Sequence, residues 1–205
     1  MSNELKYLVP MLDAGHGYII KNTYQTAGKR SPLYPEGVLY EGVSNRHFIA
    51  GIAERLVNYG VPFILINPED RDITLETRVR RANKEYAKDK NTYLYSMHSN
   101  AGGGTGIEAW TSKGQTKSDE LAEVFLTDLE TGLTDTKFRF DYLDKDKDKE
   151  RQLYLLRNTN CPAVLMEILF MDYKPDFIKL NDPEYRSCVM DITANSMKNL
   201  YYGIS

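Results

Sequence analysis

Short apolar runs alternate along this chain with segments whose apolar residues recur at helical spacing. That alternation narrows the fold more than any other feature. Strands separated by helices return through crossovers and pair in parallel. The strand-like runs are residues 7–12, 62–66, 92–98, 106–110, 152–156 and 163–168. Pro10 inside the first of them predicts an edge strand or a bulge, because proline brings no amide donor to a ladder. The spacing of Ile49, Ile52, Ala53 and Leu56 predicts a helix over 41–59, with Gly60 as its stop. Leu75, Val79, Ala82 and Tyr86 predict a second over 74–88. Leu121, Val124, Phe125 and Leu129 predict a third from about residue 118. Asp182-Pro183 reads as a cap with proline at the first helical position. The helix it opens turns Tyr185, Cys188, Val189 and Ile192 inward. The pattern predicts an α/β fold with a largely parallel sheet. With 205 residues, 41% of them apolar, it predicts a single domain over 1–205.

The charge balance bears on partners. With 26 basic and 29 acidic residues the net charge is −3, which excludes the basic excess of a nucleic-acid binder. No stretch reaches 18 consecutive apolar residues, so no membrane span is expected. The polar start, residues 1–6, lacks the charged-then-apolar pattern of a signal peptide, so synthesis in the cytoplasm is expected. Cys161 and Cys188 are too few for a disulfide framework and read as two buried thiols. Two segments break the rhythm. Residues 17–40 form a long polar loop around Tyr18, Tyr24, Tyr34 and Tyr40. These tyrosines read as half-buried anchors, or else as a groove wall. Residues 141–151, with their alternating charges, read as a solvated stretch.

Two of the three histidines sit at strand ends. His16 lies in Asp13-Ala14-Gly15-His16-Gly17, and His98 lies in Ser96-Met97-His98-Ser99-Asn100. The carboxyl ends of parallel strands are where open α/β sheets bind ligands, and two imidazoles there suit one metal ion. A hydrolytic zinc site takes about three protein ligands and leaves one position open. Glu41 at the first turn of a helix is one source of the third ligand; its other reading is a complement to the helix dipole. His47, about 240° around the helix from Glu41, points elsewhere and reads as a surface histidine. Asn45 shares the Glu41 face and is a candidate supporting group. Glu167 stands inside a nearly continuous apolar run. There it serves either as a proton-transfer group or as a buried partner for an arginine such as Arg157.

The motifs DxGHG (Asp13–Gly17), a glutamate at a helix start with asparagine four residues on, SxHxNA (Ser96–Ala101) and PAVLxE (Pro162–Glu167) occur in that order. Thr74-Leu75-Glu76-Thr77-Arg78-Val79 with Ala82-Asn83 fits between the second and third. Together they resemble the zinc-dependent N-acetylmuramoyl-L-alanine amidases of the amidase_3 family, over essentially the whole chain. The resemblance implies a twisted six-stranded, mostly parallel sheet flanked by helices on both faces. It implies one Zn²⁺ on His16, Glu41 and His98, with Glu167 as the catalytic glutamate. Asp13, Asn45, Ser96, Asn100 and Arg157 are expected in support of the site or along a substrate groove. The implied substrate is peptidoglycan, cut between N-acetylmuramic acid and the L-alanine of the stem peptide. A phage-type lysin that reaches the wall after release fits the compact chain. Two other readings keep the fold: a zinc peptidase that cuts within the stem, and a wall-binding protein without catalysis. Two positions depart from the family pattern. Tyr18 stands where a second glycine often follows DxGHG, and Ile168-Leu169-Phe170 replaces a small residue, glycine and phenylalanine.

Overall fold

The computed structural model describes residues 7–142 and 146–204. A six-stranded sheet organises the chain. Its strands are β1 (Val9–Ala14), β4 (Ile64–Leu65), β5 (Thr92–Asn100), β6 (Glu108–Thr111), β7 (Lys149–Glu150) and β8 (Ala163–Phe170), in the order β4-β1-β5-β8-β6-β7. Every neighbouring pair is parallel except β6 with β8. The helices are α1 (Glu41–Asn58), α2 (Leu75–Lys88), α3 (Lys117–Gly132), α4 (Tyr154–Asn158), α5 (Lys174–Asn181) and α6 (Pro183–Tyr202).

Side-chain alternation along the three central strands divides the interior in two. Leu12 and Ala14 of β1, Tyr93, Tyr95 and Met97 of β5, and Val164, Met166 and Ile168 of β8 face α1, α3, α5 and α6 in the larger core. Met11, Leu94, Ala163 and Leu165 point the other way. There they meet Val79 and Ala82 of α2 and Leu155 and Leu156 of α4. Helices therefore cover both faces. The same period of two continues the second face through Asp13, Ser96, His98 and Glu167. A polar patch thus ends an apolar stripe at the carboxyl edge of β1, β5 and β8.

Local chemistry fixes the helix boundaries. The Thr74 hydroxyl caps α2 by accepting the Thr77 amide. Thr116 and Asp119 form a reciprocal capping box on α3, and Asp182 caps α6. Gly203 ends α6 in the left-handed region.

Several expectations are corrected. Residues 152–156 are not a strand: Leu155 and Leu156 are buried side by side, which suits the helix α4 rather than a pleat. The sixth strand is instead the short β7. Pro10 lies in an interior strand, at neither an edge nor a bulge. The Val9 amide donates to Asn91 on the β5 side, so the Pro10 nitrogen faces the opposite flank. There β4 pairs only with Met11 and Leu12, and the missing donor has no acceptor to serve. Cys188 is exposed, while Cys161 is buried. The 17–40 loop contains a small hairpin, β2 (Ile19–Ile20) with β3 (Thr23–Tyr24). Its turn residues Lys21 and Asn22 both have positive φ, as the two-residue turn requires. Tyr24 accepts the Gly42 amide on its hydroxyl, and Tyr34 donates to the Asp172 carbonyl. These two tyrosines are anchors.

The charge run is not simply solvated either. Asp148 is 1% exposed. Burial pushes its carboxyl up to about 7, and the charges of Asp119 and Asp146 push the same way. The folded chain thus keeps a proton that the unfolded chain releases near the ordinary carboxylate pKa of about 3.9. Stability contributed by this group is therefore lost as pH rises from about 4 to about 7, then levels off. With no divalent cation added, Asp148→Asn is expected to stabilise the fold at pH ~8 by on the order of 1–3 kcal/mol. At pH ~3.5 it should have no effect. Thermal melts at the two pH values check this, and an equal difference at both would contradict it.

Candidate metal centre and catalytic cavity

Three elements bring His16, Glu41 and His98 together. His16 follows β1 with φ +66°, a conformation that costs a non-glycine residue about 1–2 kcal/mol. Hydrogen bonds hold it there. The Gly15 amide donates to the Met97 carbonyl, extending the sheet by one residue. Arg46 Nη1 donates to the His16 carbonyl at 2.6 Å, and Arg78 Nη2 donates to the same oxygen at 3.2 Å. Asn45 Nδ2 donates to the Gly15 carbonyl at 3.1 Å. Arg78 is itself buried. Its Nη1 donates to Asp13 Oδ1 at 2.6 Å and to the Ala14 carbonyl at 2.7 Å. Asp13 Oδ2 accepts from the Ser96 hydroxyl at 2.6 Å. Asp13, Asn45 and Ser96 thus brace the histidine turn from below.

Glycines make the approach of these parts feasible. A Cβ on Gly15 would lie 2.2 Å from His98 Cε1, and one on Gly42 would lie 2.0 Å from the Gly17 carbonyl oxygen. Only glycine lets the turn sit on the His98 ring and α1 start against the turn.

At the centre, Glu41 Oε1 lies 3.0 Å from His98 Nδ1 and 3.2 Å from His16 Nε2. The two imidazoles cross at 87° with centroids 5.1 Å apart. Burial acts to raise the Glu41 pKa, but the close imidazole of His16 and the hydrogen-bonded imidazole of His98 outweigh it and hold the group well below the usual carboxylate range. His16 Nε2 is buried without a hydrogen-bond partner among the described residues. One donor atom from each of the three side chains lies within 4.8 Å of the other two. A tetrahedron with metal–ligand bonds of about 2.0–2.1 Å has edges of about 3.3–3.4 Å. Two imidazoles and an ionised carboxylate at such separations fit a borderline ion such as Zn²⁺.

Glu167 pairs in register with His98 across β5 and β8, and its side chain lines the same cavity. Burial pushes its carboxyl up to about 7 against the pull of the His98 charge, while Glu41 and Glu108 push it further up. Its Oε2 is buried and has no partner among the described residues. The cavity, about 670 Å³, is also lined by Lys29, Arg30, Asn100 and Tyr154. A second cavity of about 420 Å³ adjoins it, and His16, Leu75 and His98 line both.

The structure separates the sequence-predicted residues. His16, Glu41, His98, Glu167 and Asn100 meet at the larger cavity. Arg157 does not: it is exposed on α4, and the charges that bear on Glu167 are those of His98, Glu41, Glu108 and Lys29. His47 is exposed, as expected for a surface histidine. Two residues were assigned no part in the site. Arg78 sits on the buried face of α2 beside Val79 and Ala82, and a charge next to those apolar positions was the available signal. Glu108 is 3% exposed and stands directly across from Glu167. It accepts hydrogen bonds from Asn100, Trp110, Arg139 and Lys149. Leu169, where the family pattern has glycine, keeps the glycine-like φ of +62°. Its fully buried side chain offsets that strain.

Comparison with known proteins bears on the family and the fold. Residues 11–199 match the profile of the Amidase_3 family, described as N-acetylmuramoyl-L-alanine amidase. The N-acetylmuramoyl-L-alanine amidase CwlM of Bacillus licheniformis is 29% identical over 146 residues. That alignment covers 69% of this chain and 51% of CwlM, so the chain spans about half the length of this curated relative. The fold resembles the N-acetylmuramoyl-L-alanine amidase from Clostridium difficile 630, with a TM-score of 0.74 at 21% identity, covering 92% of this chain and 94% of that one. It also resembles the catalytic domain of the CD27L endolysin targeting Clostridia difficile. There the TM-score is 0.67 at 19% identity, with 94% and 97% covered.

Proposed function

Because the chain belongs to the Amidase_3 family of N-acetylmuramoyl-L-alanine amidases, we propose that it hydrolyses the amide between N-acetylmuramic acid and the L-alanine of the peptidoglycan stem peptide, with one Zn²⁺ on His16, Glu41 and His98. The observation that carries this reading is the convergence of two imidazoles and a buried carboxylate beside Glu167, in one cavity. A Zn²⁺ held there supplies Lewis acidity, polarising the scissile carbonyl and acidifying a water. Glu167 takes the proton from the attacking water and returns it to the departing alanine nitrogen. A carboxyl pushed up to about 7 is matched to both transfers near neutral pH. Glu41 stays ionised throughout, because its histidine partners hold it below the ordinary range. The two cavities that meet at His16 and His98 suit a substrate with two arms, a glycan strand and a peptide. A single catalytic domain over residues 1–205 fits this reading. No helix among the described residues is long and apolar enough to cross a membrane.

Elemental analysis tests the metal. About one zinc per chain is expected. Dialysis against a chelator should remove it together with wall-degrading activity, and ZnCl₂ should restore both. Full activity in the zinc-free protein would refute the reading. Gly15→Ala tests the packing behind the site. Its methyl displaces the His98 ring, so zinc affinity should fall by about 10–100-fold, as when a ligand loses its orientation. Competition with a chromophoric chelator measures this. Unchanged affinity would show that the contact does not position the ring.

A further inference from the structure

Far from the catalytic cavity in kind, a second cluster lies where β6, α3 and the 146–148 segment meet. One carboxylate oxygen from each of Asp119, Asp146 and Asp148 lies within 4.8 Å of the other two. Asp119 and Asp148 are buried and Asp146 is partly so. Among the described residues the donors around them are few. Asp119 Oδ2 accepts from the Thr116 amide and hydroxyl, and Asp146 Oδ2 accepts from Gln115 Nε2 at 2.6 Å. The Thr111 hydroxyl faces both Asp148 Oδ2 at 2.5 Å and Asp119 Oδ1 at 3.2 Å, and its one proton serves only one of them. Asp148 Oδ1 and Asp146 Oδ1 are buried and have no partner at all among the described residues. Lys147, between the two aspartates in sequence, pairs with Glu123 and Glu130 instead. Buried carboxylate oxygens without donors are costly unless a cation compensates them.

We propose that Asp119, Asp146 and Asp148 form a second metal site, for a hard divalent cation with Ca²⁺ preferred. The donor set is all oxygen and contains no imidazole or thiolate, which separates it from the zinc-type centre. Three carboxylates and the Thr111 hydroxyl leave room for waters, as Ca²⁺ with its 6–8 flexible ligands allows and Mg²⁺ with its rigid octahedron tolerates less well. The cluster adjoins a shallow cavity of about 310 Å³, which opens it to an ion from solvent. The consequence reaches toward the catalytic glutamate. Asp148 directly precedes Lys149 of β7, whose Nζ donates to Glu108 Oε2 at 2.6 Å, and Glu108 pairs across from Glu167. A cation here pins the edge strand that carries Lys149.

The test is a CaCl₂ titration of the zinc-loaded protein, followed by thermal melting and by calorimetry. The parent is expected to bind about one Ca²⁺ per chain at this site. Its Tm should rise by about 5–10 °C once Ca²⁺ reaches about 100 times Kd. MgCl₂ should raise it less. The Asp146→Asn/Asp148→Asn pair keeps the shapes and removes two charges. It should fold, melt at least as high as the parent without Ca²⁺, and show no Ca²⁺-dependent rise. If the pair does not fold, Asp148→Asn alone should weaken Ca²⁺ binding at least tenfold. A parent Tm that stays flat up to ~10 mM CaCl₂, well above the weakest Kd typical of such sites, would overturn the proposal. So would a variant that responds to Ca²⁺ as the parent does.

Discussion

Glu167→Gln should lose turnover on peptidoglycan by about 10³-fold, in the middle of the range for a general acid–base group, while its zinc content stays at the parent's value. The two side chains have the same shape, and glutamine cannot accept and return a proton. Glu167 lies across from His98 but is not among the three side chains whose donor atoms converge. Its removal should therefore spare the metal. The fold should be spared too. The carboxylate is disfavoured by burial and by Glu41 and Glu108, so replacing it with a neutral amide relieves that repulsion. The variant is expected to melt at or above the parent. Zinc measured by elemental analysis, alongside the rate of wall turbidity loss, separates these effects. Retained turnover would remove Glu167 from the mechanism, and lost zinc would make it a ligand.

His98→Ala should lose both zinc and activity. The ring contributes Nδ1 to the cluster, and it also covers one flank of the cavity. On the proposed ligand set only two ligands would remain, so zinc occupancy after dialysis should fall from about one to well below 0.1 per chain, with turnover at background. Circular dichroism should show a folded chain, because His98 sits near the end of β5 and at the rim of the core. The contrast with Glu167→Gln is the informative part. One variant keeps the metal and loses the chemistry, while the other loses the metal and with it the chemistry. If His98→Ala retained stoichiometric zinc, the ligand set would have to be redrawn.

Much of this arrangement was readable before the fold was known. Residues 92–98 and 163–168 carry enough consecutive apolar positions to declare central strands. The period of two within them already places Ser96 and His98 on one side of β5. What remained hidden is non-local or conformational. Leu153 to Leu156 is a short apolar run that reads equally as strand or helix, and burial of the adjacent Leu155 and Leu156 decides for helix. The left-handed backbone at His16 and Leu169 carries no glycine to announce it. Arg78 and Glu108 matter through partners 65 and 31 residues away, Asp13 and Arg139, and no local pattern records such pairings. Arg157 failed as a partner for Glu167 because the segment that carries it is a helix whose Leu155 and Leu156 turn inward, leaving the arginine exposed. Asp148 failed as a solvated charge because, directly before β7, it is buried with its carboxylate accepting from the Thr111 hydroxyl of β6.

The most direct test of the account is the chemistry of the bond that is cut. Purified peptidoglycan is digested with the zinc-loaded protein, and the new amino termini are labelled and identified by mass spectrometry. The account predicts new amino termini on L-alanine alone, glycan strands whose muramic acid ends in a free lactyl carboxyl, and no new reducing sugar ends. New termini on any other stem residue, or none at all with zinc bound, would contradict it.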